Sequence, residues 1–203
     1  MQLYIGNKNY SSWSLRAWLL LRQAGIAFTE RQLRLDWTLD SQFKRTLLAI
    51  AETIAELHPE KRLWPVDRRQ RARARSLCAE MHSGFTALRN RCPMNIEASL
   101  PEVGRRVATE WPDVADDLRR IDAMWSEQLE ASGGPFLFGE FGIVDAYYAP
   151  VCSRARTYAL PLGPAAAAYV DRIHALPAMQ EWCAAARDEH DFIAEDEPYR
   201  QSA

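Results

Sequence analysis

Residues Leu3–Gly25, LYIGNKNYSSWSLRAWLLLRQAG, decide the fold. Leu3–Ile5 is a short apolar run and Gly6–Asn9 is turn-rich. From Trp13 the apolar residues Leu15, Trp18, Leu19 and Leu21 recur at helical spacing up to Gly25, which suits the C′ position of a helix. The stretch therefore reads as a buried strand, a polar loop and a helix that opens on Ser11 and Ser12. The first turn of a helix carries N–H groups without partners and a partial positive charge, so an anion such as a thiolate is stabilised there and a hydroxyl adds one more donor. The plain alternative is that one serine only caps the helix.

Outward from this stretch, Ile26–Leu35 places Phe28, Leu33 and Leu35 among charged residues, the pattern of a partly exposed second strand. Strand, helix, strand makes a βαβ unit, with a right-handed crossover and parallel strands. No further strand is predicted. Phe43, Leu47, Ile50, Ile54 and Leu57 predict a helix over Ser41–Leu57, which ends at His58-Pro59-Glu60-Lys61, and Leu63-Trp64-Pro65 reads as an anchored linker. Asp67 is the expected N-cap of a long helix whose inward stripe is Leu77, Met81, Phe85 and Leu88, running to Pro93. Helices follow over 102–110, from Pro112 with Val114, Leu118, Ile121, Trp125 and Leu129 inward, over about 143–158, and over 164–176 and 177–189. The tail after Ile193 reads as frayed. The fold class is α+β: an α/β domain over residues 1–62, then an all-α helical-bundle domain over 67–194.

Composition narrows the function. With 48% hydrophobic and 26% charged residues and a net charge of −2, the chain is an ordinary globular protein without the positive face that nucleic acid requires. No membrane span or secretory leader is legible, so the expected location is cytoplasmic. Cys78, Cys92, Cys152 and Cys183 are far apart and form no CxxC pair, so no metal site or dithiol redox centre is expected.

At Tyr10-Ser11-Ser12-Trp13-Ser14-Leu15-Arg16 the chain resembles the cytosolic glutathione S-transferases, and is most similar to serine-type bacterial members and the zeta class, whose signature is Ser-Ser-Cys-Ser-x-Arg. Two further stretches carry the likeness. Leu48-Ala49-Ile50-Ala51-Glu52, with Leu57-His58-Pro59-Glu60 and Leu63-Trp64-Pro65, resembles the end of that family's thioredoxin-like domain and its linker. Gly139-Glu140-Phe141-Gly142-Ile143-Val144-Asp145 sits where the family carries the N-capping box of its helical domain.

The resemblance implies a thioredoxin-like N-terminal domain that binds glutathione as co-substrate, a helical domain that shapes the pocket for a small electrophile, and a homodimer. It implies that Ser11, with Ser12 beside it, stabilises the glutathione thiolate. A free thiol with a pKa of about 8.5 is mostly protonated at neutral pH, and a helix N-terminus with a hydroxyl lowers that value. Trp13 stands in place of the zeta cysteine, and Arg16 matches the motif arginine, whose charge would attract an anionic substrate. Ser11, Ser12, Trp13 and Arg16 are thus the expected glutathione-binding residues, and Ser11 and Ser12 the catalytic ones.

The chain also departs from the family. Relatives carry a Val-Pro segment, third and fourth strands and an acid-serine pair before the Leu-Ala-Ile-Ala-Glu helix, and here Leu47-Leu48-Ala49 runs straight into that helix. The expectation is a shortened thioredoxin-like domain: an impaired glutathione site, or a sequence from which that segment is left out. A non-catalytic binding or dimerisation module on the same fold is the second functional reading. Gly142 replaces the Ser or Thr of the capping box, which removes its hydroxyl. Arg68, Arg69, Arg71, Arg73 and Arg75 read as a solvated face, His82 as a helix residue rather than a base, and Tyr147, Tyr148 and Trp125 as core aromatics. Arg89 and Asn90 lie where the zeta class has residues near its substrate.

Overall fold

The structure is a computed structural model that describes residues 1–33 and 49–200. β1 (Gln2–Ile5) and β2 (Thr29–Gln32) pair in parallel, with Leu3 opposite Glu30 and Ile5 opposite Gln32, and α1 (Ser12–Gln23) connects them. Among the described residues the sheet has these two strands. A strand pair alone is marginal in water. Here α1 covers it: Leu3 and Ile5 are buried in one core with Leu15, Leu19, Leu20 and Leu21. Gly25, at φ +67°, ends α1 with its N–H on the Arg22 carbonyl (3.2 Å), and Ile26 donates to the Leu21 carbonyl (2.9 Å). This double bond pattern is a Schellman cap, which needs the left-handed backbone that glycine adopts at least cost.

The helix expected over Ser41–Leu57 is seen as α2 across residues 49–57; its first part, like Leu35 of the expected second strand, lies outside the described residues. α3 (Arg68–Ser83) starts as expected, with the Asp67 carboxylate accepting from the N–H groups of Arg69 (2.9 Å) and Gln70 (2.8 Å). It stops short of Pro93. Gly84 is extended and Phe85 takes φ +53°, and the chain restarts as the short α4 (Thr86–Arg91). Leu77, Met81, Phe85 and Leu88 are nevertheless all buried. Apolar spacing reports which face is inward, and the turn at Gly84–Phe85 keeps that face inward while breaking the helix.

α5 (Pro101–Glu110), α6 (Pro112–Ser132), α7 (Ile143–Thr157), α8 (Pro164–Ala175) and α9 (Pro177–Asp188) complete the bundle. Proline opens α5, α6, α8 and α9, where its missing N–H removes no helical bond. α7 is the axis, buried on nearly every side and packed on α1, α3 and α8. The capping box lacks a hydroxyl, as expected, and the structure shows what stands in for it. The Leu63 carbonyl accepts the N–H of Ile143 at 3.1 Å. A Cβ on Gly142 would lie 2.8 Å from that same oxygen, so glycine is what lets the linker reach the start of α7. Asp145 keeps its half of the box, accepting from the Gly142 N–H at 2.9 Å.

The tail departs from expectation. As far as Arg200, the last described residue, it is docked rather than frayed: the Tyr10 hydroxyl donates to Glu197 and the Tyr199 hydroxyl donates to the Arg91 carbonyl (2.7 Å), while just before it Asn7 Nδ2 donates to the Asp191 carbonyl (3.2 Å).

His174 of α8 is buried, with Nε2 3.2 Å from the Cys152 carbonyl, an acceptor that requires the proton on Nε2. Burial, and then Arg156, push its pKa down to about 4. Between that value and 6.5 the unfolded chain binds the proton and the folded chain does not, so this residue makes stability fall as pH falls through that window. Asp145, pushed up to about 6 chiefly by burial, acts in the opposite sense between 3.8 and 6. In urea unfolding, His174→Gln is therefore expected to gain stability relative to the parent as pH drops from 6.5 to 4, and an unchanged difference across that range would contradict the neutral buried imidazole.

Candidate active site at the start of α1

The loop between β1 and α1 is held by its own asparagines. Asn7 Oδ1 accepts from the N–H groups of Asn9 (2.8 Å) and Tyr10 (3.2 Å), and the Asn7 carbonyl accepts from Ser11 (2.9 Å). Asn9 Oδ1 reaches across to the helical part, accepting from Ile96 (2.6 Å) and Glu97 (2.9 Å). On the opposite flank the Trp182 indole donates to the Lys8 carbonyl (3.0 Å), and Glu189 accepts from the Lys8 N–H (2.7 Å). The serine loop is thus fixed from both sides by partners far away in sequence. In the sequence, Asn7 and Asn9 carry only the signature of turn formers.

Ser11 is the N-cap of α1, half-buried, with its Oγ accepting from the Ser14 N–H at 3.3 Å. Ser12 is the first residue of the helix and is buried at 9% exposure. Of the two candidate hydroxyls, Ser11 is the one at the surface of the loop. Ser14, missed as a site residue, lies with its Oγ 2.7 Å from that of Ser11 and accepts from the Gly6 N–H at 2.9 Å. The signal was present: N-cap and N3 side chains meet in a helix's first turn.

Trp13 and Arg16 come together beneath the loop. The guanidinium of Arg16 lies 4.7 Å from the Trp13 ring centre and 5.3 Å from that of Tyr147, and Trp13 stands edge-on to His82 at 5.2 Å. Arg16 is 1% exposed, and among the described residues its Nε and Nη1 have no hydrogen-bond partner; neither do His82 Nδ1 and the Tyr147 hydroxyl. No carboxylate among the described residues pairs with Arg16. Burial, then Arg154, push its pKa down to about 9, with Arg89 adding to the effect. Arg154, equally buried, differs because it spends its donors on the carbonyls of Cys92 (2.8 Å) and Pro150 (3.2 Å). His82 is pushed below its usual value by burial, Arg16 and Arg89. The structure therefore sets an uncompensated positive charge under two aromatic faces, behind the first turn of α1.

Shape and chemistry point to different places. The larger surface grooves, of 680 and 490 Å³, run between α5 and the tail, while a smaller one of 370 Å³ opens beside Tyr10, between Asn95, Glu97 and Phe192. The α5 groove is rimmed by exposed side chains such as the Glu102–Arg105 pair, whereas among the described residues the buried polar groups without partners gather at α1. Among the described residues no group of three His, Cys, Asp or Glu side chains could hold a metal ion, and no helix is long and apolar enough to cross a membrane.

Residues 69–185 match the family model of the glutathione S-transferase C-terminal domain. The chain belongs to the glutathione S-transferase family. Its fold is that of solved glutathione transferases. A glutathione transferase homolog from Burkholderia gl BGR1, solved with bound glutathione, aligns at TM-score 0.67 and 24% identity over 92% of this chain and 97% of that one. Maleylacetoacetate isomerase from Anaeromyxobacter dehalogenans aligns at TM-score 0.63 and 25% identity over 99% and 96%. A bacterial maleyl pyruvate isomerase of the zeta class aligns at 0.65 and 18% over 92% and 98%. No curated protein matches the chain. The transferase family model begins within α3, so it does not cover the serine loop. The thioredoxin-like part of this transferase fold keeps β1, α1, β2 and α2, and the helical part supplies the α3 and α7 surfaces that enclose Arg16.

Proposed function

We propose that this glutathione S-transferase family member is an enzyme that conjugates or isomerises a small electrophile through a glutathione thiolate stabilised at Ser11. The observation that carries the reading is the placement of Ser11: an N-cap hydroxyl at the accessible end of α1, where the helix's free N–H groups and partial positive charge meet. The thiol end of glutathione fits this cradle. Bound there, glutathione supplies the sulfur nucleophile. Ser11 donates a hydrogen bond to it, the first turn of α1 favours its charged form, Trp13 walls the site, and Arg16 draws an anionic group of the substrate toward the aromatic floor. A thiol held about one pH unit below its free value gains ~1.4 kcal/mol of preference for the thiolate.

Ser11→Ala is expected to lower turnover of a generic aromatic electrophile at least ~10-fold in a folded sample. An unchanged rate would assign the donor role to Ser12 or leave Ser11 as a cap alone. The second reading, a non-catalytic binding or dimerisation module, is favoured by the two strands that the sheet has among the described residues, and by the run of Leu47-Leu48-Ala49 straight into its helix without the Val-Pro and acid-serine elements that the resemblance implies just before it. Retention on immobilised glutathione together with turnover decides between them: a folded chain that shows neither is the module.

A further inference from the structure

The hydroxyl of Ser11 does not stand alone, and counting donors around it fixes which way its proton points. Ser14 Oγ, on a residue 2% exposed, accepts the Gly6 N–H at 2.9 Å and lies 2.7 Å from Ser11 Oγ, which also accepts the Ser14 N–H at 3.3 Å. One of the two hydroxyls donates to the other. If Ser11 were the donor, the Ser14 proton would have no acceptor among the described residues, and a buried donor left without a partner keeps its full desolvation penalty. If Ser14 is the donor, the Gly6 N–H, the Ser14 N–H and the Ser14 O–H all have acceptors. The proton of the half-buried Ser11 is then left over to point out of the loop.

We propose that Ser14 is a positioning residue that aims the Ser11 O–H outward at the sulfur of a bound thiol, through a relay running from the Gly6 N–H to Ser14 Oγ to Ser11 Oγ. The inference rests on the glutathione reading above and deepens it. Ser11 Oγ accepts two hydrogen bonds, from the hydroxyl and the N–H of Ser14, which polarises its own O–H and makes it the better donor. Its direction is fixed before any ligand arrives, so no reorganisation accompanies the appearance of charge on sulfur. Neither serine changes protonation state: the thiol proton leaves to solvent, and the thiolate remains against the Ser11 O–H.

The test is the pKa of the bound glutathione thiol, followed by the ultraviolet absorbance of the thiolate against pH, with affinity measured by calorimetry. It is run on the full chain and on Ser11→Ala, Ser14→Ala, the double variant and Ser14→Thr. Ser14→Ala is expected to raise the thiol pKa and cut the thiolate fraction near neutrality several-fold. The double variant should lose no more than Ser11→Ala alone, because Ser14 acts through Ser11. Ser14→Thr, which keeps a hydroxyl, should restore most of the effect. If the alanine variant fails to fold, Ser14→Cys, with a weaker donor at the same place, is expected to give an intermediate thiol pKa. A merely structural Ser14 would lower stability and leave the thiol pKa at the parent value, or add its effect to that of Ser11; either result overturns the relay. A parent chain that holds no thiolate overturns the glutathione reading and the relay with it, whereas a parent that holds one, with Ser14→Ala unshifted, overturns the relay alone.

Discussion

Asp145→Ala is expected to destabilise the protein by about 3 kcal/mol. The carboxylate is 1% exposed and accepts from the Gly142 N–H (2.9 Å), the Leu137 N–H (3.2 Å) and the Tyr169 hydroxyl (2.9 Å). Removing it strands three buried donors, each worth about 1–3 kcal/mol when left without a partner. Against that stands relief of the buried charge, whose pKa has moved from 3.8 to about 6, a cost of roughly 3 kcal/mol at ~1.4 per pH unit. The donors win because there are three of them. Urea unfolding near neutral pH measures the loss, and because Asp145 favours the folded state less as pH rises from 3.8 to 6, the stability gap between parent and alanine variant should narrow over that range, whatever His174 contributes to both. A loss below ~1 kcal/mol would mean that the three donors find other acceptors, and α7 would not depend on this cap.

Arg16→Met is expected to do the reverse, raising stability by about 2 kcal/mol. A guanidinium whose pKa is lowered from 12.5 to about 9 is charged at neutral pH, and keeping it so in the folded state costs on the order of 5 kcal/mol. The faces of Trp13 and Tyr147 return part of this, at about 0.5–2 kcal/mol each for a desolvated cation–π contact. Methionine fills similar space with no charge to desolvate. The same variant should lose any stabilisation that glutathione or a carboxylate substrate confers through this charge, so a thermal shift seen with such ligands in the parent should shrink in Arg16→Met. A variant several kcal/mol less stable than the parent would identify Arg16 as a packing element, and its role in drawing an anion to the site would fall.

Much of this architecture was legible because it is local. Asp67 capping α3, the prolines that open four helices, Gly25 closing α1 and Ser11 opening it all act within one turn of themselves, so residue types in order suffice to read them. What was not legible depends on partners distant in sequence. The bond from Asn9 to Ile96 spans the two parts of the chain, the docking of Tyr199 on Arg91 turns an apparently loose tail into a held one, and the burial of Arg16 needs Tyr147 from α7. An arginine in a helix carries no mark of whether its head reaches water. Ser14 is the intermediate case: its spacing from Ser11 was readable, but its role emerges only when the Gly6 N–H is seen to occupy its oxygen.

The oxygen of Leu63 that reaches the start of α7 has a consequence for how the molecule comes apart. The central helix of one part takes its first acceptor from the linker that closes the other, through a gap that only glycine at 142 leaves open. Undocking the linker therefore frays α7 at its origin, and fraying α7 releases the wall behind Arg16 and α1. The two parts share a fate, and the protein should lose its structure in one transition.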